Sequence, residues 1–380
     1  MTDAALSMEA AARVADPVPR RGRDRVDHVE WMRAVAILLV VCGHCYDLAG
    51  LDPAGLVTGA PGLTDVVQAI VTGGTAVFVF ISGFLYRHVF FGRDFAGFMA
   101  GKARVVGLPY LTLGIPIALY EVLSGHYRFE LLRLGTVEGG NLFLDLSGLL
   151  LTGRMMTAYW YIPFVFLLFL ASPLVDAFVR AKRGPRAAVF LALVALAFVV
   201  HRPEYNLDPV HSFLYFAHVY LAGVLFREYH EPAMAWLRRA PVIALLAGAV
   251  VALAFVQVFG LGYRGNVEVA RLGATAPVAL DLMIPQKLLL ALLLAGLLAR
   301  WGGIAARLLS RVAQTSFGVF FLHGVVITLW MRLPGALRPL SGVPLLDLAL
   351  YSAAVFGASH LAATLVVRVF GRRSRSLIGC

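Results

Sequence analysis

Long apolar runs fill most of the chain, and polar residues are confined to the short segments between them. A hydrocarbon core of about 30 Å needs roughly 20 apolar residues in helical form, and windows of that kind recur from end to end. The approximate limits of these windows are 30–49, 64–86, 105–122, 157–179, 187–201, 211–227, 240–260, 277–299, 313–331 and 343–369. The pattern predicts an all-α polytopic membrane protein, a bundle of ten transmembrane helices.

Composition excludes two other classes of protein. Of the 380 residues, 60% are hydrophobic and 14% are charged, whereas soluble proteins carry about 25% charged residues. A single water-soluble core could not bury so many apolar side chains, and a disordered chain would show the opposite balance. We predict one transmembrane domain over 28–371, between an Arg-rich tail at 1–27 and a basic tail at 372–380. The first 25 residues lack an apolar segment, so we expect no cleaved signal peptide.

The distribution of basic residues predicts the orientation in the membrane. The chain has 33 Lys plus Arg against 22 Asp plus Glu, a net charge of +11. With the amino terminus inside and ten spans, the inner segments hold 23 basic residues, counting Arg227 and Arg368 at the inner ends of their spans, and the outer loops hold 8. This is the bias of the positive-inside rule, so both termini are predicted to be cytoplasmic and the charge does not indicate a nucleic-acid partner. The fifth span is the shortest, and His201-Arg202-Pro203 ends it, but omitting it would put the termini on opposite sides.

The first span carries two ionisable residues on one face. Ten residues separate Arg33 from His44, and eleven steps of about 100° return to within about 20° of the start, some 16 Å further along the axis. A cation near the inner surface suits a phosphate, and a deeper imidazole suits proton transfer. The alternative is an Arg that snorkels to the surface and a His that hydrogen-bonds a neighbouring helix.

A second intramembrane histidine, His323, lies about ten residues into the ninth span, at the depth of His44. Equal depth favours one shared site, although it does not show that the two rings face each other. The second span ends with Ser82-Gly83 near the inner boundary, which predicts close helix packing or a local break. The Cys42-x-His44-Cys45 cluster points in different directions on a helix, so no metal site is predicted.

Two further segments carry candidate binding residues. A basic stretch with Arg87, Lys102 and Arg104 precedes Pro109 on the inner side, where it could fix topology, touch anionic lipid or hold a nucleotide's phosphates. Tyr159-Trp160-Tyr161 opens the fourth span at the outer face, where an interfacial aromatic belt is the usual explanation and sugar stacking is the alternative. The largest outer segment, 123–156, is polar enough to be a solvated connector or to cover a site.

Four sequence segments occur in an order that is typical of one family of membrane enzymes. VEWMRAVAILLVVCGH at 29–44 looks like a D-x-x-R-x10-H motif with Glu30 in place of Asp, and VFVFISGFLY at 77–86, YWYIPFVFLLFLASPL at 159–174 and SFGVFFLHGVVI at 316–327 follow it. In this order and spacing the chain resembles the acyltransferase 3 family of integral-membrane acyltransferases. The esterase-like domain that some relatives carry after the membrane domain is not in this sequence, so we expect direct transfer by the membrane domain.

The resemblance implies transfer of an acyl group, most often acetyl, from cytoplasmic acyl-CoA to a hydroxyl of a cell-surface glycan, lipid-linked sugar or related metabolite. We expect an O-acyltransferase of a bacterial inner membrane that uses acyl-CoA as donor, with no metal and with oligomeric state open.

The resemblance also implies roles for individual residues. His44 is the general base, Glu30 orients Arg33, and His323 positions the acceptor or stabilises the developing oxyanion. The remaining candidates fall into two groups by ligand. The donor would be held by Arg33, Arg104, Lys102, Arg87 and Ser82, and the acceptor by Trp31, Tyr159, Trp160 and Tyr161.

A transporter or flippase is the rival from another class of protein. Ten helices with intramembrane His and Arg would also suit a proton-coupled carrier of a polar or lipid-linked solute. The sequence shows no inverted repeat and no paired interrupted helices, which such carriers usually have. The sequence therefore favours the enzyme.

Overall fold

The computed structural model describes residues 26–53, 55–124, 141–206, 208–333 and 340–380. Most of the amino-terminal tail and residues 125–140 of the largest outer segment, with His126, Arg128, Glu130, Arg133 and Glu138, lie outside the described residues. The described part of the chain is almost entirely helical. Its two strands, β1 at Arg202–Pro203 and β2 at Glu268–Val269, form one short parallel pair.

Sixteen helices occur in the described residues. In chain order they are α1 Asp27–Gly43, α2 Leu63–Val71, α3 Thr75–Leu85, α4 Phe95–Lys102, α5 Leu108–Ser124, α6 Leu142–Thr152, α7 Tyr161–Leu170, α8 Ser172–Arg180, α9 Arg183–Val200, α10 Pro209–Glu228, α11 His230–Leu237, α12 Ala240–Phe255, α13 Met283–Trp301, α14 Ala306–Met331, α15 Pro344–Phe370 and α16 Ser374–Leu377. Single π-helical turns extend α3 to Phe90, α4 to Gly107 and α12 to Gly260.

Each window predicted as a span coincides with one or two of these helices. Seven helical stretches of the described chain are long and apolar enough to cross a membrane, or eight when the bent pair α7 and α8 counts as one span. The longest, Met283–Met331, contains both α13 and α14, and a straight helix of that length would measure about 74 Å, more than twice the hydrocarbon thickness. The all-α polytopic fold is confirmed, whereas the number of crossings and the side of the termini stay predictions.

The relative directions of packed helices agree with alternating spans. On α1 and α14, Arg33 contacts Ser316 and His44 contacts His323, so the two helices run parallel. On α3 and α10 the partners also follow the same direction, from the crossing of the two helices at Gly83 and Gly223 to the contact of His88 with Arg227. The predicted numbering makes α1 and α14 the first and ninth spans and α3 and α10 the second and sixth, and two spans of equal parity must be parallel.

Two spans are interrupted, although no paired interrupted helices were visible in the sequence. The second span breaks between α2 and α3, where the Lys287 ammonium donates to the carbonyl oxygens of Ala69 (2.9 Å) and Ile70 (2.7 Å). The fourth bends by 49° between α7 and α8, where Pro173 lacks the amide that would continue the helix. In the first case a buried ammonium satisfies carbonyl groups that a continuous helix would have bonded itself.

Two glycines allow α3 and α10 to touch backbone to backbone. A Cβ atom at Gly83 would overlap the carbonyl oxygen of Tyr220, and one at Gly223 would overlap that of Phe80. The contact is reciprocal, as in other membrane helix pairs that pack through small residues. It confirms the close packing predicted from Ser82-Gly83 and holds the centre of the bundle together.

We predict that Gly83→Ala destabilises the protein by about 1–3 kcal/mol, because the added methyl group forces the two backbones apart. The measurement is thermal unfolding in detergent. Gly248→Ala on α12 is the matched control, since a Cβ there meets nothing within 4 Å and alanine favours helix. Equal losses of thermal stability in the two variants would contradict the packing account.

Candidate active site

Two histidines from α1 and α14 form a hydrogen-bonded pair inside the bundle. His44 directly follows α1, and its Nδ1 lies 3.0 Å from Nε2 of His323. The rings are stacked, with centroids 5.2 Å apart and planes 15° from parallel. His323 is fully buried, whereas His44 is partly exposed. The structure thus brings together the two histidines that were predicted to lie at one depth.

The surroundings of His323 determine which nitrogens of the pair carry protons. Its Nδ1 lies 3.0 Å from the carbonyl oxygen of Val319, and because a carbonyl only accepts, this nitrogen must donate. In a neutral His323 the Nε2 atom is then the acceptor, so His44 donates to it through Nδ1. The lone pair of His44 therefore lies on Nε2, which makes no hydrogen bond within the described residues.

This arrangement can accept a proton from a bound hydroxyl. An imidazole whose second nitrogen is held by another group has its tautomer and ring orientation fixed, which is how enzymes prepare a general base. Here the orienting group is a second imidazole, itself anchored to the backbone of α14.

Arg33 lies on the same face of α1 as His44, as predicted. Its Nη2 donates to Ser316 Oγ on α14 at 3.2 Å, and that hydroxyl donates to the carbonyl oxygen of Ala313 at 2.8 Å. Arg33 also interacts electrostatically with Glu30, one turn earlier. The guanidinium is thus held in place by one neutral hydrogen bond and a nearby carboxylate.

A cavity of about 260 Å³ is lined by Arg33, and neither His44 nor His323 belongs to its lining. Its polar lining is Arg33, Thr75, Ser82, Lys102 and Tyr161, and the Tyr161 hydroxyl lies 3.4 Å from Ser82 Oγ. The rest of the lining is apolar and includes Val40, one turn before His44. We call this space the inner cavity.

A second cavity of about 460 Å³ adjoins the inner cavity at Lys102 and Val105, which line both. We call it the vestibule. Its lining includes Phe90 and Arg93 from the basic stretch before α5. The Lys102 ammonium lies 4.5 Å from the centre of the Phe90 ring, between the two spaces. The two cavities are lined by the cations Arg93, Lys102 and Arg33, by Asp94 and by mainly apolar side chains.

Five of the residues predicted to hold a ligand lie outside both cavity linings: Arg87, Arg104, Trp31, Tyr159 and Trp160. Arg104 is exposed, and Arg87 stacks over the Phe91 ring at 4.2 Å. Trp31 donates through Nε1 to Ser310 Oγ at 3.0 Å, near the start of α14.

The aromatic residues at the start of α7 are buried, so their interpretation as a lipid-facing belt is wrong. Tyr159 is fully buried, and its hydroxyl donates to the Phe321 carbonyl oxygen at 3.0 Å. Trp160 stacks against Phe216 of α10, and Tyr161 lines the inner cavity. They pack inside the bundle because Phe216 and Phe321, from α10 and α14, provide aromatic partners there.

Arg202 was not predicted as a site residue, because the sequence pattern assigned it only to the end of the fifth span. Residue 202 lies in β1 and is buried, with its guanidinium 5.2 Å from the Trp160 ring. It lies close enough to His44 for electrostatic interaction. Its partner in the strand pair is Glu268, whose pKa is raised by burial, while the Arg202 charge and the Tyr205 amide act in the opposite direction. The sequence offered one signal for Arg202. It is an arginine directly after an apolar span, and the predicted outer loops hold few basic residues.

Comparison with known proteins identifies the family. The profile of a family described as an acyltransferase domain matches residues 26–366, which includes Arg33, the histidine pair and both cavities. No curated protein and no solved structure matches the chain. Among the described residues, no group of three or more His, Cys, Asp or Glu side chains is placed to hold a metal ion. The match extends from the start of α1 into α15, and the chain therefore belongs to the acyltransferase 3 family of integral-membrane acyltransferases.

Proposed function

We propose that the protein transfers an acyl group, most often acetyl, from acyl-CoA to a hydroxyl of a cell-surface glycan, lipid-linked sugar or related metabolite, with His44 as general base. One observation carries the proposal: the free lone pair of His44 Nε2, fixed by the hydrogen bonds from His44 to His323 and from His323 to Val319. A base whose proton-accepting nitrogen is fixed in advance typically contributes 10² to 10⁴-fold to a rate.

The two adjoining cavities support an elongated donor. Acyl-CoA has phosphates at one end and a thioester at the end of a long, flexible arm. The vestibule and the start of the inner cavity present Arg93, Lys102 and Arg33, while the walls toward Val40 are apolar. Cations recognise the phosphates, and the narrow apolar space suits the arm. Arg33 and His44 lie about 16 Å apart along α1, which matches a ligand that spans both ends.

The proposed reaction balances without a further reactant. His44 Nε2 takes the hydroxyl proton as the acceptor oxygen attacks the thioester carbonyl carbon, which gives a tetrahedral intermediate with one negative oxygen. The intermediate collapses, the carbon–sulfur bond breaks, and the departing CoA thiolate takes the proton from the His44 imidazolium. The products are the acylated acceptor and CoA with a free thiol.

The acceptor site proposed here is smaller than the one predicted from sequence. Trp31 lies about 20 Å from His44 along α1, at the opposite end of the helix, and the Tyr159 hydroxyl is occupied by a backbone carbonyl. Trp160 and Tyr161 remain as acceptor residues in this proposal, because Tyr161 lines the inner cavity and Trp160 packs against it. We place the donor on the cytoplasmic side of a bacterial inner membrane, as the positive-inside bias supports.

The test is release of CoA thiol from acetyl-CoA by detergent-purified protein, with and without a cell-envelope glycan extract from the source cell. We predict extract-dependent release by the wild type and loss of at least 10²-fold in His44→Ala, because the variant has no group to take the proton. The variant should retain the thermal stability of the wild type.

Release that persists in His44→Ala would contradict the general-base role. No release from folded wild type with any of several acyl-CoA donors would contradict acyl-CoA as donor. In that case the carrier becomes the better explanation, since the two interrupted spans are a feature that carriers share.

A second prediction concerns the donor end of the site. Arg33→Gln should raise the KM for acetyl-CoA about 10-fold or more, with a smaller effect on kcat, because a charge-assisted bond to phosphate is lost. Arg104→Gln is the matched control, since Arg104 is exposed and outside both cavities. Equal KM values for the two variants would contradict the role of Arg33, and a larger effect at Arg104 would place the phosphates elsewhere.

A further inference from the structure

The negative oxygen that develops during acyl transfer needs a hydrogen-bond donor, and His323 has no free N–H group to supply one. Its Nδ1 is bonded to the Val319 carbonyl oxygen, and its Nε2 accepts from His44. Both nitrogens of His323 are therefore occupied while His44 is in the form that accepts a proton. The group that stabilises the oxyanion must come from another part of the bundle.

Arg202 lies in β1, directly after the carboxyl end of α9. Its Cζ atom is 5.2 Å from the centre of the Trp160 ring and 5.7 Å from that of Phe216, so the guanidinium is fixed over two aromatic faces. Trp160 precedes Tyr161 of the inner cavity, and Tyr161 packs against Phe320.

The aromatic contacts continue from Phe320 to His323, so they connect the guanidinium to the histidine pair. Arg202 is in addition close enough to interact electrostatically with His44.

The two terminal nitrogens of Arg202 are available. Its Nε donates to Asn206 Oδ1, but within the described residues neither Nη1 nor Nη2 donates a hydrogen bond. The side chain is nevertheless only 5% exposed.

The carboxylates around Arg202 are engaged elsewhere. Asp281 accepts from the Tyr215 hydroxyl at 2.7 Å, and Glu268 accepts from the Tyr205 amide at 3.1 Å. Both act on Arg202 at longer range, and neither forms an ion pair with it within the described part of the chain. They balance its charge while its donors stay free.

Strained backbone holds this part of the site. Four non-glycine residues in the described chain have positive φ: Ala158 (71°), His201 (52°), Tyr205 (51°) and Asn206 (55°). The first lies two residues before Trp160, and the other three flank Arg202. Such conformations cost on the order of 1–3 kcal/mol each and cluster at functional sites. Here they fix the two segments that bring Trp160 and Arg202 together.

We propose that Arg202 is a catalytic residue that donates hydrogen bonds from Nη1 and Nη2 to the carbonyl oxygen of the acyl donor as that oxygen becomes negative. The inference rests on the acyl transfer proposed above. In that step the carbonyl carbon gains a bond to the acceptor oxygen, and the electron pair of the C=O bond moves onto the oxygen that Arg202 contacts. The pair returns when the carbon–sulfur bond breaks, so Arg202 gains and loses no proton.

The test compares wild type, Arg202→Gln and Arg202→Lys in the CoA-release assay, with acetyl-CoA as donor and the glycan extract as acceptor source. We expect Arg202→Gln to lower kcat by 10² to 10³-fold, with the KM for acetyl-CoA and the half-saturating amount of extract changed less than threefold. Arg202→Lys keeps the charge and should lose about tenfold, because lysine lacks the planar pair of donors. Arg271→Gln, an exposed arginine of the neighbouring outer loop, should match the wild type.

The outcomes separate this inference from the proposed function. A wild type that consumes no acyl-CoA removes the proposed function, whereas active wild type with an equally active Arg202→Gln removes the inference alone. A rate that recovers in excess extract would overturn the oxyanion role and assign Arg202 to acceptor binding. If Arg202→Gln does not fold, the lysine variant decides, because an unchanged kcat there would overturn the proposal.

Discussion

The hydrogen bond from His323 Nδ1 to the Val319 carbonyl oxygen determines the chemistry of the site. Because a carbonyl oxygen only accepts, this bond fixes the tautomer of His323, and through it the tautomer of His44. The proton-accepting nitrogen of His44 is therefore set by the backbone of α14, without a carboxylate in the pair. A carboxylate would add a negative charge to the interior of a membrane bundle, where an unpaired charge is expensive.

The helix packing places this pair and Arg33 along one face of α1, and Arg33 lines the inner cavity. Parallel α1 and α14 present the histidine pair at one level and Arg33 with Ser316 at another, along a single face. The close contact of α3 with α10 at Gly83 allows the neighbouring Ser82 to line the inner cavity. The same helices thus supply rigid backbone for the base and walls for the donor.

Local periodicity predicts those features of the fold and site that depend on a single helix. The apolar windows, the common face of Arg33 and His44, and the depth of His323 follow from helix geometry alone, and the structure agrees with each. Arg202 escaped prediction because its position depends on β1 pairing with β2, more than sixty residues later. The burial of Tyr159-Trp160-Tyr161 likewise depends on α10 and α14, which no pattern within 157–179 reveals.

We infer that His323 acts only through His44, and a double-mutant cycle measures the coupling of the two residues. The kcat for acyl transfer would be measured in wild type, His44→Ala, His323→Leu and the double variant. The account predicts that His323→Leu alone lowers kcat markedly, while adding it to His44→Ala changes kcat less than about threefold. A double variant slower than His44→Ala by the full factor of His323→Leu would show that the two residues act independently and would contradict the account.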